Sequence, residues 1–240
     1  MNIAAVIPSR YQSSRFPGKP LAKIAGKTMI ERVYRQVAKT GCFADIVVAT
    51  DDERIFNEVV NFGGKAEMTD TAIKTGTERV WRVMEKKDYE AVINIQGDEP
   101  LISEKLIREV YQALGKRNIV SAARRNDSYL DFGSKNIVKV ICDNKNQALY
   151  FSRAPIPFCE KESFNGFFQH IGIYGYTRKA LEFFTGAGIS YLEKSENLEQ
   201  LRFLFLGERI HIIETDYVSH GVDIPDDIGK IEKILRGQHA

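Results

Sequence analysis

The stretch NIAAVIPSRYQSSRFPGKPL, residues 2–21, joins a short apolar run to a loop rich in basic residues, glycine and proline. Residues 2–7 predict a buried strand, because a short apolar run bounded by turn residues is typical of a central strand in a parallel sheet. Arg10, Arg15 and Lys19 follow the carboxyl end of that strand. A loop of this kind offers backbone N–H groups, guanidinium forks and an ammonium to phosphates. We therefore predict an α/β fold with an anion site in this loop.

The rest of the first half alternates strand-like and helix-like segments. Ile30, Val33, Tyr34 and Val37 recur at helical spacing and predict an amphipathic helix. Further strands are predicted at residues 45–49 and 91–95, and further helices at residues 52–62, after a cap at Thr77, and around residues 107–114. This alternation predicts a mostly parallel, doubly wound sheet that binds ligands at the carboxyl ends of its strands.

Beyond residue 118 the predicted strands lie close together. They cover residues 119–123, 137–142, 147–151 and 170–176, with a hairpin turn at 143–146, and helices are predicted at 179–184, 196–205 and 226–235. We predict a single domain over residues 1–240 with an inserted β-rich lobe at about 125–215. Phe164, Phe167 and Phe168 in this lobe are expected to be exposed.

The charge distribution favours a small anionic ligand. The chain has 34 Lys and Arg against 32 Asp and Glu, but its first 30 residues hold five basic side chains and no acid. A protein that binds nucleic acid usually has a broader basic surface. No apolar run approaches the roughly 20 residues of a membrane span. The three cysteines are odd in number and widely spaced, so we expect a reducing cytoplasm rather than a disulfide framework.

Two common phosphate-binding motifs do not fit. Gly26-Lys27-Thr28 has the tail of a P-loop, but the first glycine of that motif is missing at the required spacing. No Gly-x-Gly-x-x-Gly follows the first predicted strand, which argues against a dehydrogenase that uses a dinucleotide.

The basic loop RYQSSRFPGKPL, residues 10–21, resembles the corresponding loop of the cytidylyltransferases that activate 3-deoxy-manno-octulosonate (Kdo), which are nucleotidyltransferases with a fold similar to GT-A. Further matching blocks follow in the same order: ATDDE (49–53), GTER (76–79), QGDEP (96–100), ALYFSRAPIP (148–157), HIGIY (170–174), LEQLR (198–202) and GVD (221–223). Together the blocks cover most of the chain.

The resemblance implies a reaction and its charged residues. The anomeric hydroxyl of the sugar acid would attack the α-phosphorus of CTP, which releases pyrophosphate and forms CMP-Kdo for lipopolysaccharide biosynthesis. Arg10, Arg15 and Lys19 would contact the triphosphate, and Asp98 and Asp223 would bind Mg²⁺. Asp98 also follows a predicted strand at its carboxyl end, where a metal carboxylate is expected. Arg10, Lys19 and Asp98 are the expected catalytic residues.

Six further residues are assigned to the two substrates by the same resemblance. Arg79 would contact the nucleotide, although a surface Arg on a helix is the alternative. The expected sugar-acid contacts are Gln96, Arg153, His170, Glu199 and Gln200. The bidentate fork of Arg153 suits a carboxylate. Taken without the resemblance, a lone histidine in a strand such as His170 is more often a hydrogen-bonded core residue than a catalyst.

The chain departs from the family at residues 72–75, Ala-Ile-Lys-Thr, where the family commonly has an acidic residue, His, Gln and Ser. This difference leaves the exact sugar open between Kdo, its 8-amino analogue and another acid sugar such as a sialic acid. A non-catalytic protein that binds nucleotide is a third alternative. The resemblance also implies a homodimer, and nothing in the sequence indicates nucleic acid or membrane as a partner.

Overall fold

The protein is built around a central twisted sheet. A computed structural model describes residues 1–13 and 15–237. Its strands are β1 (Ile3–Ser9), β2 (Lys23–Ile24), β3 (Lys27–Thr28), β4 (Asp45–Thr50), β5 (Lys65–Met68), β6 (Ala91–Asn94), β7 (Ile119–Asn126), β8 (Lys139–Cys142), β9 (Ala148–Ser152), β10 (Phe167–Thr177) and β11 (His211–Glu214). The main sheet has the order β11-β7-β10-β6-β1-β4-β5, with β8 paired to β10 and to β9.

The sheet is mostly parallel, as predicted. β1 pairs in parallel with β4 and β6, β4 with β5, and β7 with β11. β10 runs antiparallel between β6 and β7. The carboxyl ends of β1 and β6 therefore meet at one edge, which is where the basic loop leaves β1.

Helices cover both faces of the sheet. They are α1 (Met29–Lys39), α2 (Glu53–Asn61), α3 (Gly76–Met84), α4 (Glu104–Leu114), α5 (Tyr129–Gly133), α6 (Arg178–Thr185), α7 (Tyr191–Glu196), α8 (Leu201–Phe205) and α9 (Asp227–Leu235). Within β1, Ile3, Ala5 and Ile7 pack with α1 and α4, whereas Ala4 and Val6 pack with α3 and α6. This alternation is the period of two that a strand buried on both faces requires.

Some predictions of secondary structure were incomplete or wrong. The strands β2, β3, β5 and β11 and the helices α5 and α7 were not predicted. Thr75, not Thr77, caps α3, because its side chain accepts a hydrogen bond from the Glu78 N–H. The helix predicted over residues 196–205 begins too early: Asn197, with a left-handed φ of 52°, ends α7 at Glu196, and only Leu201–Phe205 of the predicted range forms a further helix, α8.

The second half adds a hairpin and an aromatic cluster to the sheet. β8 and β9 form the predicted antiparallel hairpin, in which Asp143 accepts hydrogen bonds from the Lys145 and Gln147 N–H groups. The expectation of exposed aromatics was wrong: Phe167 is buried against Phe132, and Phe164 and Phe168 are half-buried. The boundaries of an inserted lobe stay a prediction; β10, inside that range, is a member of the central sheet.

Candidate active site

A cavity of about 800 Å³ opens at the carboxyl ends of β1 and β6. It is lined by the loop after β1, the first turn of α3, the segment after β6, part of β10 and the connection between α7 and α8. Ten of the predicted site residues line it: Arg10, Arg15, Lys19, Arg79, Gln96, Asp98, Arg153, His170, Glu199 and Gln200. The sheet thus brings together residues from distant parts of the sequence. In open α/β sheets, ligand sites commonly form in this way at the carboxyl ends of the strands, where the strand order reverses.

The ammonium of Lys19 lies between the two predicted metal carboxylates. Its Nζ is 2.6 Å from Asp98 Oδ2 and 4.0 Å from Asp223 Oδ1, and it donates to the Val222 carbonyl at 2.9 Å. Arg15 binds the same Asp223 oxygen at 2.9 Å. Asp98 and Asp223 therefore both lie within 4.0 Å of one cation of the protein, and their role as metal ligands stays a prediction.

Backbone and side-chain bonds explain how Asp223 reaches Asp98 from a distant part of the chain. The Val222 N–H donates to the Asp98 carbonyl at 2.9 Å. Next to Asp98, the Glu99 carboxylate accepts hydrogen bonds from Tyr217 at 3.0 Å and from Ser219. Burial raises the pKa of Glu99 above its usual range. Glu99 therefore positions the segment that carries Asp223.

Basic side chains at the cavity differ in their protein contacts. Arg10 and Lys74 are exposed, and neither makes a hydrogen bond or an ion pair within residues 1–13 and 15–237. Arg15 is also exposed and pairs with Asp223. The cavity therefore offers cationic groups that an anionic ligand can bind without first breaking a buried ion pair.

Arg79 is a buried residue of the cavity wall, not an arginine on the surface of a helix. It is 1% exposed, its Nη2 binds Asp51 Oδ2 at 2.9 Å, and it also donates to the Ile73 carbonyl and to Thr69. These bonds fix the turn before α3. Arg79 thus shapes this side of the cavity, and its contact with nucleotide stays a prediction.

The opposite wall of the cavity carries His170. Its Nε2 is 2.9 Å from Ser121 Oγ, and Ser121 in turn donates its hydroxyl proton to the Ile173 carbonyl at 2.8 Å. Nε2 therefore carries the imidazole proton, and Nδ1 is the acceptor. Desolvation between the rings of Phe151 and Tyr174 lowers the pKa of His170 to about 3. The ring is neutral at physiological pH.

Arg153 and Glu199 make protein contacts where sugar contacts were expected. The Arg153 guanidinium donates to three backbone carbonyls, those of Lys135, Glu196 and Asn197. Glu199 accepts hydrogen bonds from the Gly76 and Thr77 N–H groups at 3.3 and 3.2 Å, at the N-terminus of α3. Both residues also line the cavity, where a sugar acid could reach them. Their predicted contacts with the sugar stay predictions.

Known proteins resemble the chain over nearly its whole length. A family model described as cytidylyltransferase matches residues 4–210. A 3-deoxy-manno-octulosonate cytidylyltransferase of Syntrophotalea carbinolica is 45% identical over 249 aligned residues, which cover 99% of this chain and 100% of the relative. One of Geobacter metallireducens is 44% identical, with coverage of 99% and 100%. The chain belongs to the 3-deoxy-manno-octulosonate cytidylyltransferase family.

Solved structures agree with this family assignment. A structure of CMP:2-keto-3-deoxy-manno-octonic acid synthetase complexed with CTP is similar with a TM-score of 0.93 and 36% identity, over 99% of each chain. A 4-diphosphocytidyl-2C-methyl-D-erythritol synthase from Anaerococcus prevotii has a TM-score of 0.67 at 16% identity, over 98% of each chain, which shows a shared fold. The predicted fold and the predicted family are both confirmed.

The carboxylates of this cytidylyltransferase fit a magnesium ion bound together with a phosphate. Oxygens of Asp98 and Asp223 already face one cation, the Lys19 ammonium. No group of three or more His, Cys, Asp or Glu side chains suited to a metal occurs in the described part of the chain. Magnesium commonly takes one or two carboxylates and completes its octahedron with water and substrate phosphate oxygens. The donor set matches that pattern.

Sequence reasoning missed several lining residues of this cytidylyltransferase. Ser9, Asn94, Tyr174 and Tyr176 all line the cavity. Asn94 could have been noticed, because it is the one polar residue in the apolar run Ala91-Val92-Ile93-Asn94-Ile95. At the departure from the family, Ile73 is buried while Lys74 is exposed at the cavity.

Proposed function

We propose that this protein transfers CMP from CTP to the anomeric hydroxyl of Kdo. The anomeric oxygen forms a bond to the α-phosphorus, the bond from that phosphorus to the bridging oxygen breaks, and pyrophosphate leaves. The observation that carries the proposal is the meeting of the basic loop with Asp98, which lines the cavity, and with Asp223, which lies beside it, in a member of this family. The names of the relatives favour Kdo over the other sugar acids.

The basic loop would supply the charge that this reaction requires. Negative charge accumulates on the pyrophosphate as it leaves, and fixed cations lower the barrier when they stabilise that charge. Arg10 is exposed and unpaired within the described residues, so it can meet phosphate directly. Lys19 and Arg15 can exchange their carboxylate partners for phosphate oxygens. We assign all three residues to the triphosphate.

Asp98 and Asp223 would hold Mg²⁺ against the phosphates. When bound, Mg²⁺ supplies a Lewis acid that polarises the phosphoryl oxygens and orients the leaving group. The protein contributes the two carboxylates, and Glu99 keeps Asp223 next to Asp98 through its bonds to Tyr217 and Ser219.

The sugar acid would occupy the part of the cavity lined by β10 and by residues 197–200. His170 is neutral there, so it can take part in hydrogen bonds without adding charge. Its free Nδ1 can accept a hydroxyl proton, and the amides of Gln96 and Gln200 can donate and accept. Such groups suit a polyhydroxylated ligand.

The direct test is pyrophosphate release from CTP, Mg²⁺ and Kdo. We expect turnover by the wild-type protein and a loss of about 10²- to 10³-fold in kcat for Asp98→Asn, the range found when one group that stabilises charge is removed. Asp127→Asn is the matched control, because Asp127 is exposed and lies outside the cavity. The same assay with the 8-amino analogue and a sialic acid tests the sugar. Absence of turnover with Kdo would refute the proposal.

Two properties of the whole protein remain proposals. We propose a cytoplasmic homodimer, which the family resemblance supports. Among residues 1–13 and 15–237, no helix is long and apolar enough to cross a membrane. Sedimentation at micromolar concentration would test the dimer.

A further inference from the structure

Asn94 is a buried amide whose oxygen has no hydrogen-bond partner. The residue is 2% exposed, and its Oδ1 is one of three buried side-chain atoms left unpartnered within the described residues. The others are Ser9 Oγ and Glu109 Oε2. Two of the three residues, Asn94 and Ser9, line the same cavity. Because buried polar atoms are nearly always satisfied in native proteins, their concentration here indicates a ligand.

The sheet places Asn94 at the junction between the two halves of the cavity. In register it lies between Val6 of β1, the strand that leads to the basic loop, and Tyr174 of β10, the strand that carries His170. Val92, two residues earlier, faces the core on the side of α3, so Asn94 points to that same side. The amide therefore lies at the floor of the cavity, where a nucleotide and an acceptor would meet.

We propose that Asn94 Oδ1 accepts a hydrogen bond from a hydroxyl group of a bound substrate. This inference rests on the proposed function, which supplies two ligands with hydroxyls, the ribose of CTP and the sugar acid. An amide oxygen needs a donor, and phosphate oxygens have no proton to give at neutral pH. Asn94 is thus a specificity residue for the sugar part of one substrate rather than for the triphosphate.

The proposal predicts opposite effects on affinity and on stability. Asn94→Leu removes the oxygen and nearly conserves the volume. We expect the Kd and the KM of one substrate to rise about ten-fold, as for the loss of one hydrogen bond. In the free protein the same change removes an unsatisfied buried group, so the Tm should rise by about 2 to 4 °C. A residue with a merely structural role would lower the Tm.

Asn126→Leu is the matched control. Asn126 is also buried, at 4% exposed, but its amide is satisfied: Nδ2 donates to Asp131 and Gln169, and Oδ1 accepts from the Ser128 N–H. It does not line the cavity. This variant should lower the Tm and leave the Kd and the KM of both substrates unchanged.

Substrate analogues identify which hydroxyl is bound. Calorimetric titrations would compare CTP with 2′-deoxy-CTP and 3′-deoxy-CTP, and the sugar acid with its deoxy analogues. For the correct position, wild-type protein should bind the deoxy analogue about ten-fold more weakly, while Asn94→Leu should bind both forms equally. If Asn94→Leu does not fold, Asn94→Ala replaces it in the same titrations.

Unchanged affinities for both substrates in the variant that folds would overturn the proposal, and so would a folded Asn94→Leu protein whose Tm falls as in the Asn126→Leu control. Failure of the wild-type protein to release pyrophosphate would instead count against the proposed function. The titrations need no turnover, so the two failures are distinguishable.

Discussion

The Lys19–Asp98 pair at the cavity and the Arg202–Glu193 pair between α7 and α8 both join a basic side chain to a carboxylate, but they differ in access to solvent. The side chains of Arg202 and Glu193 are 2% and 8% exposed, and two bonds of 2.7 Å join them. The Asp98 side chain is 34% exposed and faces the cavity. The buried pair must stay intact to keep the fold, whereas the pair at the cavity is free to exchange partners.

The strongest way to test this contrast is to remove the buried cation. Arg202→Met leaves Glu193 buried without its partner, so the free energy of unfolding should fall by about 3 to 5 kcal/mol. Urea denaturation measures the loss. The double variant Arg202→Met with Glu193→Leu should recover most of it, because no uncompensated charge remains. A single variant that unfolds like the wild type would contradict the assigned role.

Replacement of Lys19 should have the opposite effect to that of Arg202: a large loss of activity with little change in stability. Lys19→Met should lower kcat/KM by about 10²- to 10³-fold, because one fixed charge at the phosphates is lost. Its Tm should change by no more than about 2 °C, since Asp98 and Asp223 can be hydrated from the cavity. Steady-state kinetics and calorimetric melting measure the two quantities. A large fall in Tm with kinetics like those of the wild type would place Lys19 with the buried pair.

His170 is a third case, a titratable side chain that burial keeps uncharged. Its pKa is about 3 in the folded protein against 6.5 in the unfolded chain. Below pH 6.5 the unfolded chain therefore binds a proton that the native state does not, and stability falls as the pH falls. The contribution amounts to about 2 kcal/mol between pH 6.5 and 5. His170→Gln should flatten the stability curve over that range, and parallel curves for the two proteins would contradict this.

The smallest effect is expected from a basic residue of the same N-terminal segment that lies outside the cavity. Lys27 makes an exposed pair with Glu31 at 3.2 Å, four residues along the chain. Lys27→Met should change the free energy of unfolding by less than about 0.5 kcal/mol and leave kcat/KM unchanged. A loss of activity similar to that of Lys19→Met would show that the whole basic segment, rather than its cavity residues, serves the reaction.

The sequence predicted the elements better than their connections. The spacing of Ile30, Val33 and Val37 predicted α1, and the helix Met29–Lys39 buries all three. The helix predicted over residues 196–205 is helical only from Leu201 to Phe205, because α7 ends at Glu196. Helical spacing does not show that Asn197 will adopt a left-handed conformation, which Asn tolerates better than most residues.

The candidate site depended on the resemblance for its long-range pairings. Local patterns placed Asp98 at the end of a strand, but the contact with Asp223 is made through Val222 and the Glu99 bonds. The same limit applies to Arg79, whose burial depends on Asp51 at the end of β4. Contacts between elements that are distant in the chain arise from packing, and no local period encodes them.

The position of Lys19 has a consequence for the order of events at the site. The Lys19 ammonium acts as an internal counterion for Asp98 and Asp223. An arriving triphosphate can draw Lys19 and Arg15 away, and the two carboxylates become available at that moment. If Asp98 and Asp223 hold the proposed Mg²⁺, thermodynamic linkage requires that the nucleotide and the cation each strengthen the binding of the other. The ion pair would then couple the two binding events.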